Sequence, residues 1–138
     1  MSRVILADTG PLVALFHGAD AAHPWALARF QEFREPLATC EAVLTEALHL
    51  LRKVPPANFG LLALWERATV RIKFSAESEK DAIRKLLRRF GSAPMSFADA
   101  CLVRMSEIHS DCAIWTLDSD FRVYRRSGRQ SIPLLTPD

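Results

Sequence analysis

The stretch Val4-Ile5-Leu6-Ala7-Asp8-Thr9-Gly10-Pro11 joins an apolar run to an aspartate, a turn-like triplet and a proline. The run Val4–Ala7 predicts a short buried strand, and Asp8-Thr9-Gly10 predicts a turn. Pro11 suits the first position of a helix, which we expect to continue to Phe16. A strand that leads at once into a helix is typical of an α/β fold, and here it leaves a carboxylate at the strand end.

The rest of the chain alternates between helical and strand-like patterns in the same way. Helices are predicted at residues 24–34, 41–53, 57–68, 75–90 and 96–109. Further strands are predicted at residues 37–40, 69–74, 112–117 and 132–135. This alternation predicts an α/β fold whose central sheet is mainly parallel.

Length and composition restrict the classes of protein that the chain can belong to. Its 138 residues fit one domain over residues 1–138, and an apolar content of 49% excludes a disordered chain. Charges interrupt every long apolar stretch, and the N-terminus lacks a signal peptide pattern, so we expect no membrane span and a cytoplasmic location. The spacing of Cys40, Cys101 and Cys112 matches no disulfide framework or zinc motif, so we expect small buried hydrophobic residues.

Basic residues are concentrated in the second half of the chain. The net charge is only +2, but ten of the 18 basic residues lie between Lys80 and Arg129. They form two clusters, one of Arg84, Lys85, Arg88 and Arg89 and one of Arg122, Arg125, Arg126 and Arg129. Such a surface beside an acidic site suits a polyanion such as nucleic acid. A solvated helix face is the alternative for either cluster alone.

Four carboxylates interrupt apolar runs: Asp8, Glu46, Asp99 and Asp118. Their desolvation is costly unless it is compensated, and no Lys or Arg lies within three residues of Glu46 or Asp99. A divalent cation is the simplest compensation for several such groups. Asp8 and Asp118 follow predicted parallel strands and Asp99 lies in a first helical turn, so the groups can meet at one edge of the sheet.

Each carboxylate also has an ordinary interpretation. Asp8 favours a turn, and Asp-Thr-Gly is the signature of aspartic proteases, although the predicted helices disagree with that almost all-β fold. Ser96-x-x-Asp99 is a capping box, so capping and catalysis both remain open for Asp99. Glu46-x-x-His49 matches a di-iron spacing, but the sequence contains no second such motif, and a solvated helix face is also possible. Asp118 and Asp120 can be turn residues.

Four short motifs that occur in a fixed order favour a functional interpretation of these carboxylates. They are Ile5-Leu6-Ala7-Asp8-Thr9, Leu44-Thr45-Glu46, Ser96-Phe97-Ala98-Asp99-Ala100 and Thr116-Leu117-Asp118-Ser119-Asp120-Phe121. Over nearly its whole length the chain resembles the PIN-domain ribonucleases, most closely the VapC-type toxins of prokaryotic toxin–antitoxin pairs. The resemblance implies a three-layer α/β/α fold with about four to five strands in its sheet.

The same resemblance implies a set of functional residues. Asp8, Glu46, Asp99 and Asp118 match the acidic quartet, and Thr9 and Thr116 match hydroxyl positions that support it. The metal ligands would be Asp8, Asp99, Asp118 and Asp120, with the choice between the last two left open. The residues that would hold the RNA backbone are Arg84, Lys85, Arg88, Arg89, Arg122, Arg125 and Arg126.

The implied activity is a Mg²⁺- or Mn²⁺-dependent endoribonuclease that hydrolyses RNA phosphodiester bonds. The implied partners are RNA, a second copy of the chain in a homodimer, and a small antitoxin, for which residues 59–65 offer an apolar segment beyond the needs of a small core. A PIN nuclease of RNA processing without an antitoxin, and a non-catalytic module with the same fold, are the alternatives.

Overall fold

A sheet of five short parallel strands forms the centre of the molecule. The computed structural model describes residues 3–137, so Met1 and Ser2, where the signal-peptide expectation partly falls, and Asp138 lie outside the described residues. The strands are β1 (Val4–Ala7), β2 (Leu37–Thr39), β3 (Val70–Ile72), β4 (Cys112–Trp115), β5 (Arg125–Arg126), β6 (Gln130–Ser131) and β7 (Leu134–Leu135). The sheet order is β3-β2-β1-β4-β7, and β5 and β6 form a separate antiparallel hairpin.

Helices cover both faces of this sheet. They are α1 (Thr9–Phe16), α2 (His23–Glu32), α3 (Glu41–Leu51), α4 (Ala57–Glu66), α5 (Lys80–Arg89) and α6 (Phe97–Ile108), with a 3₁₀ turn at Ser119–Arg122. The chain moves outward from β1 to β2 and β3, then returns to β4 on the other side of β1. Because parallel crossovers are right-handed, α1–α4 lie on one face and α5 and α6 on the other. The α/β prediction with a mainly parallel sheet is confirmed.

Burial on two faces explains why the inner strands β1 and β4 are continuous apolar runs. All residues of β4 are buried, as are Leu6 and Ala7 of β1. Trp115 ends β4 and packs against Trp25 and Phe33, with ring centroids 6.1 and 5.1 Å away. These two aromatic side chains therefore serve the core.

Several predicted boundaries were wrong. Thr9 and Gly10 belong to α1 because Asp8 caps that helix, its side chain accepting a hydrogen bond from the Thr9 N–H. Helix α5 begins five residues later than predicted, since residues 75–79 form turns in which the Glu79 N–H donates to the Ser75 carbonyl. The β5–β6 hairpin was not predicted, and the last strand is limited to Leu134–Leu135.

Two further expectations can be compared with residues 3–137. Cys40, Cys101 and Cys112 are free and buried, as predicted. No helix in this part of the chain has the length and apolar character needed to span a membrane.

Arg126 joins the β5–β6 hairpin to the end of α6. Its Nη1 donates to the Ser106 carbonyl at 2.8 Å, and its Nη2 donates to the Ser110 carbonyl at 3.3 Å. These carbonyls belong to the last turn of α6 and the loop after it, where backbone acceptors lack helical partners. Arg126 thus fixes the hairpin against the body of the protein.

We expect Arg126→Ala to lower the free energy of unfolding by about 1–3 kcal/mol, because hydrogen bonds from a charged donor are lost. Chemical denaturation measures the change. Arg129→Ala is the matched control, since Arg129 is exposed on the same hairpin loop, and it should leave stability within about 0.5 kcal/mol of the wild type. Equal stability of both variants would contradict the structural role of Arg126.

Candidate active site

Four carboxylates face one cavity of about 460 Å³ at the carboxyl edge of the sheet. Asp8 directly follows β1, and Asp118 follows β4, the neighbouring strand on one side. Glu46 lies on α3 and Asp99 on α6, which belong to opposite helical layers. The strand order reverses beside β1, and at such a point the two layers separate and leave a crevice at the carboxyl ends of the strands.

Asp8 is almost completely buried. Its pKa is raised from 3.8 to about 6, mainly by desolvation and in smaller part by the charges of Asp99 and Asp118. Hydrogen bonds from Thr116 and from the Thr9 N–H act in the opposite direction. The Asp8 carboxylate is therefore held by specific contacts in a position where its charge is unfavourable, which is a common property of functional sites.

Thr116 connects two of the carboxylate-bearing segments. Its hydroxyl donates to Asp8 Oδ2 at 2.7 Å and accepts from the Asp118 N–H at 2.9 Å. Because Thr116 is fully buried one residue after β4, this short chain of hydrogen bonds fixes the Asp118 loop relative to the end of β1.

Asp99 both caps a helix and faces the cavity. Its Oδ2 accepts from the Ser96 N–H at 3.1 Å, and Ser96 Oγ accepts from the Asp99 N–H at 3.0 Å, so the predicted capping box is present. Asp99 is only 8% exposed, and burial followed by the charge of Asp118 raises its pKa. Among the described residues none donates a hydrogen bond to Asp99 Oδ1. Capping by Oδ2 therefore leaves the other oxygen for the cavity.

Tyr124 also holds Asp99. Its hydroxyl donates to Asp99 Oδ2 at 3.1 Å, and its ring packs edge-on against Phe121 and Phe90. Burial and the neighbouring Asp99 carboxylate raise the pKa of Tyr124, so the phenol remains a donor. Sequence analysis missed this residue. Tyrosine occurs once in the chain, but only the fold brings its hydroxyl to an aspartate 25 residues earlier.

Glu46 approaches the cavity from α3. Its Oε2 accepts from Thr9 Oγ1 at 3.3 Å, so the two hydroxyl side chains predicted as supports contact two different carboxylates. Glu46 belongs to the exposed polar stripe of α3, whereas Val43 and Ala47 on the same helix are buried.

Asp118 and Asp120 have different positions. Asp118 lines the cavity, and its Oδ1 accepts from the Asp120 N–H at 2.9 Å. Asp120 lies in the 3₁₀ turn and is not among the cavity residues; the charge of Asp118 raises its pKa. Of the two candidate ligands, only Asp118 contributes to the cavity wall.

The basic residues lie outside this cavity. No Lys or Arg within residues 3–137 lines it. Arg84 and Lys85 form ion pairs with Asp81, and Arg89 stacks over the Phe90 ring at 5.0 Å. In the second cluster, Arg122 Nη2 donates to Thr136, Arg125 donates to backbone carbonyls, and Arg126 is bound to α6. The cavity wall itself is therefore acidic, and any contact with a polyanion must extend beyond it.

The donors fit a hard divalent cation. Carboxylate oxygens are the ligands that Mg²⁺ and Mn²⁺ prefer, and Mg²⁺ usually keeps several waters while binding one or two carboxylates. Within residues 3–137 no three His, Cys, Asp or Glu side chains are grouped closely enough to hold a metal ion by themselves, so waters would have to complete its coordination. An open wall of separate carboxylates agrees with a hydrated ion. Burial is the main cause of the raised pKa values of Asp8 and Asp99, and neighbouring carboxylates contribute.

Comparison with known proteins identifies the family. Residues 5–127 match the PIN domain family. The chain belongs to the PIN domain family. Its structure is similar to that of VapC20 from Mycobacterium tuberculosis, described as a toxin that cleaves the sarcin–ricin loop, with a TM-score of 0.76 at 23% identity over 93% of this chain and 98% of that one.

A second PIN-like structure is VapBC2 from Rickettsia felis, solved with a DNA fragment from its promoter. The TM-score is 0.65 at 14% identity, and the match covers 98% of this chain and 99% of that one. No curated protein matches the sequence significantly. At these identities the two structures support the PIN fold and its arrangement of strands.

We expect Asp8→Asn to stabilise the cation-free PIN domain at pH 7 by up to about 3 kcal/mol. The native pKa of Asp8, about 6, exceeds the ordinary 3.8, so the folded protein holds the proton more tightly than the unfolded chain. The stability contributed by this proton is present below the ordinary pKa and is lost as the pH rises through about 6.

Urea denaturation of both proteins in EDTA, at about pH 4 and pH 7, measures this effect. The stability difference between Asp8→Asn and wild type should be larger at pH 7, because only there is the buried carboxylate ionised. The same difference at both pH values would contradict the assignment.

We expect Tyr124→Phe to weaken Mn²⁺ binding about 10–100-fold, because the hydroxyl that orients Asp99 is lost. The free energy of unfolding should fall by only about 1 kcal/mol, the usual effect of one hydrogen bond. Isothermal titration calorimetry measures the affinity. In an Asp99→Asn background, Tyr124→Phe should have little further effect, and a full additional loss would show that Tyr124 acts independently of Asp99.

Proposed function

We propose that this PIN-domain protein is a metal-dependent endoribonuclease of the VapC type, the toxin of a toxin–antitoxin pair. The observation that supports this most directly is the convergence of Asp8, Glu46, Asp99 and Asp118 on one cavity where β1 and β4 end. The family match and the likeness to a toxin that cleaves the sarcin–ricin loop support the same conclusion.

The cation would be held by Asp8, Asp99 and Asp118, with Glu46 beside them. Thr116 orients Asp8 Oδ2, and Tyr124 and the Ser96 N–H orient Asp99 Oδ2. A cation held there would favour the ionised form of Asp8, whose pKa burial raises to about 6. In the absence of a cation, these contacts hold the carboxylates in place against their mutual repulsion.

A bound Mg²⁺ or Mn²⁺ would lower the pKa of a water and offset the charge that develops on the phosphoryl oxygens. The carboxylates of the cavity wall repel the scissile phosphate, so other residues of the protein must hold the RNA close to them. Basic side chains outside the cavity are suited to hold the flanking phosphates. On α5 the ion pairs of Lys80, Arg84 and Lys85 are exposed, so these cations can exchange partners at small cost.

The partners of the proposed toxin are RNA, an antitoxin and a second copy of the chain. Helix α4 offers a surface for a protein partner, because Phe59 and Trp65 are 64% and 46% exposed while Leu61 is buried. The resemblance to VapBC2 of Rickettsia felis supports an antitoxin partner.

We expect Asp8→Asn and Asp99→Asn each to reduce RNA cleavage with Mn²⁺ by at least about 100-fold, because each removes a charge from the proposed ligand set. Gel analysis of a labelled single-stranded RNA measures the rate. Asparagine retains the capping oxygen at both positions, so the fold should persist.

Asp111→Asn is the matched control, since Asp111 is exposed just before β4 and outside the cavity. It should cleave RNA as the wild type does. Full activity of both cavity variants would contradict the assignment of the active site, and absence of Mn²⁺ binding to the wild type would favour a non-catalytic module.

A further inference from the structure

A second depression of about 530 Å³ lies along α5, next to the start of α6. Its floor is apolar and consists of Ala76, Ile83, Leu87 and Phe97. Phe97 is the first residue of α6 and is 51% exposed, although a phenylalanine is usually well buried. We call this depression the α5 groove.

The walls of the α5 groove are predominantly basic. Lys80, Arg84 and Arg88 line it together with one acid, Glu77. Lys80 pairs with Glu77 at 2.7 Å, and Arg84 pairs with Asp81, but both pairs are exposed and contribute little to stability. Arg88 forms no ion pair with any residue in the described range. These cations can therefore turn to a phosphate at small cost.

The α5 groove adjoins the carboxylate cavity. Ser96 lines the cavity and Phe97, the next residue, lines the groove, so the two depressions meet at the start of α6. An RNA strand that crosses the start of α6 would have one phosphate near the carboxylates and its next nucleotides in the α5 groove.

The composition of the groove suits single-stranded RNA better than an acidic peptide. Sequence-tolerant recognition of single strands combines cations for the backbone with aromatic faces on which bases stack. The groove offers both, and helix α5 has five basic residues against one acidic residue. An acidic peptide would use the cations but has no need of an aromatic face.

We propose that the α5 groove is a nucleotide subsite in which one base of the substrate RNA stacks on Phe97 and Arg88 binds an adjacent phosphate. This inference rests on the proposed ribonuclease function and specifies how the enzyme holds the RNA beside the scissile bond. Phe97 is thus a substrate-binding residue, distinct from the carboxylates that hold the cation.

Phe97→Leu tests the stacking, because leucine keeps an apolar side chain and removes only the aromatic face. We measure binding of a fluorescein-labelled single-stranded RNA by anisotropy in EDTA, where the proposed cleavage is prevented. Phe97→Leu should weaken binding about tenfold. Leu27→Ala is the control, since Leu27 is an exposed apolar residue on α2, outside the groove and the carboxylate cavity, and should bind RNA as the wild type does.

RNAs with a single abasic nucleotide, placed at each position in turn, identify the stacked base. With the wild type, one abasic position should weaken binding about tenfold, and with Phe97→Leu the same position should have no further effect. Arg88→Gln should lower the slope of log affinity against log salt by about one, the signature of one lost phosphate contact.

Two outcomes would overturn the subsite. Unchanged RNA affinity in Phe97→Leu, with cleavage still abolished in Asp8→Asn and Asp99→Asn, contradicts the subsite and leaves the proposed nuclease intact. If Phe97→Leu binds RNA as the wild type does but has a lower molecular mass than the wild type in light scattering, the groove is the contact surface of a second copy of the chain. Failure of the nuclease itself is recognised separately, because the wild type would then not cleave RNA with Mn²⁺.

Discussion

The parallel pairing of β1 with β4 is the constraint on which the site depends. Ala7 lies opposite Trp115, so the next residues, Asp8 and Thr116, leave the sheet side by side and form a hydrogen bond of 2.7 Å. Asp8 and Thr116 are more than 100 positions apart in the sequence. They meet only because the chain, after forming β2 and β3, returns to pair β4 with β1. A slip of one residue in this register would turn the side chains of one strand to the opposite face and separate the pair.

Around this contact the protein accepts a concentration of like charge. The pKa values of Asp8 and Asp99 are raised by burial and by neighbouring carboxylates, and no cation of the described chain lines the cavity. Backbone N–H groups, threonine hydroxyls and a tyrosine stabilise the charges in part. The arrangement is therefore preorganised for positive charge, since the carboxylates are held in place before any cation arrives.

The sequence predicted the α/β fold class and the strand-end positions of Asp8 and Asp118, because apolar runs and helix caps are local signals. Boundaries that depend on competition between turns and helices were less predictable, as at the start of α5. The role of Tyr124 could not be predicted, since its partner is distant in sequence and its neighbours are basic. Arg126 resembled a ligand-binding residue, but it is bound to the backbone of α6, a contact that no local pattern reveals.

Three of the four carboxylates also begin helical segments. Asp8 caps α1, Asp99 completes the capping box of α6, and Asp118 caps the 3₁₀ turn. Mutational drift at these positions is therefore restricted by folding as well as by the proposed catalysis. A gene copy released from selection for cleavage would still retain aspartate, or exchange it for asparagine or serine, because other side chains would leave the helix starts uncapped. Loss of activity in such a lineage would first be expected at Glu46, which caps no helix.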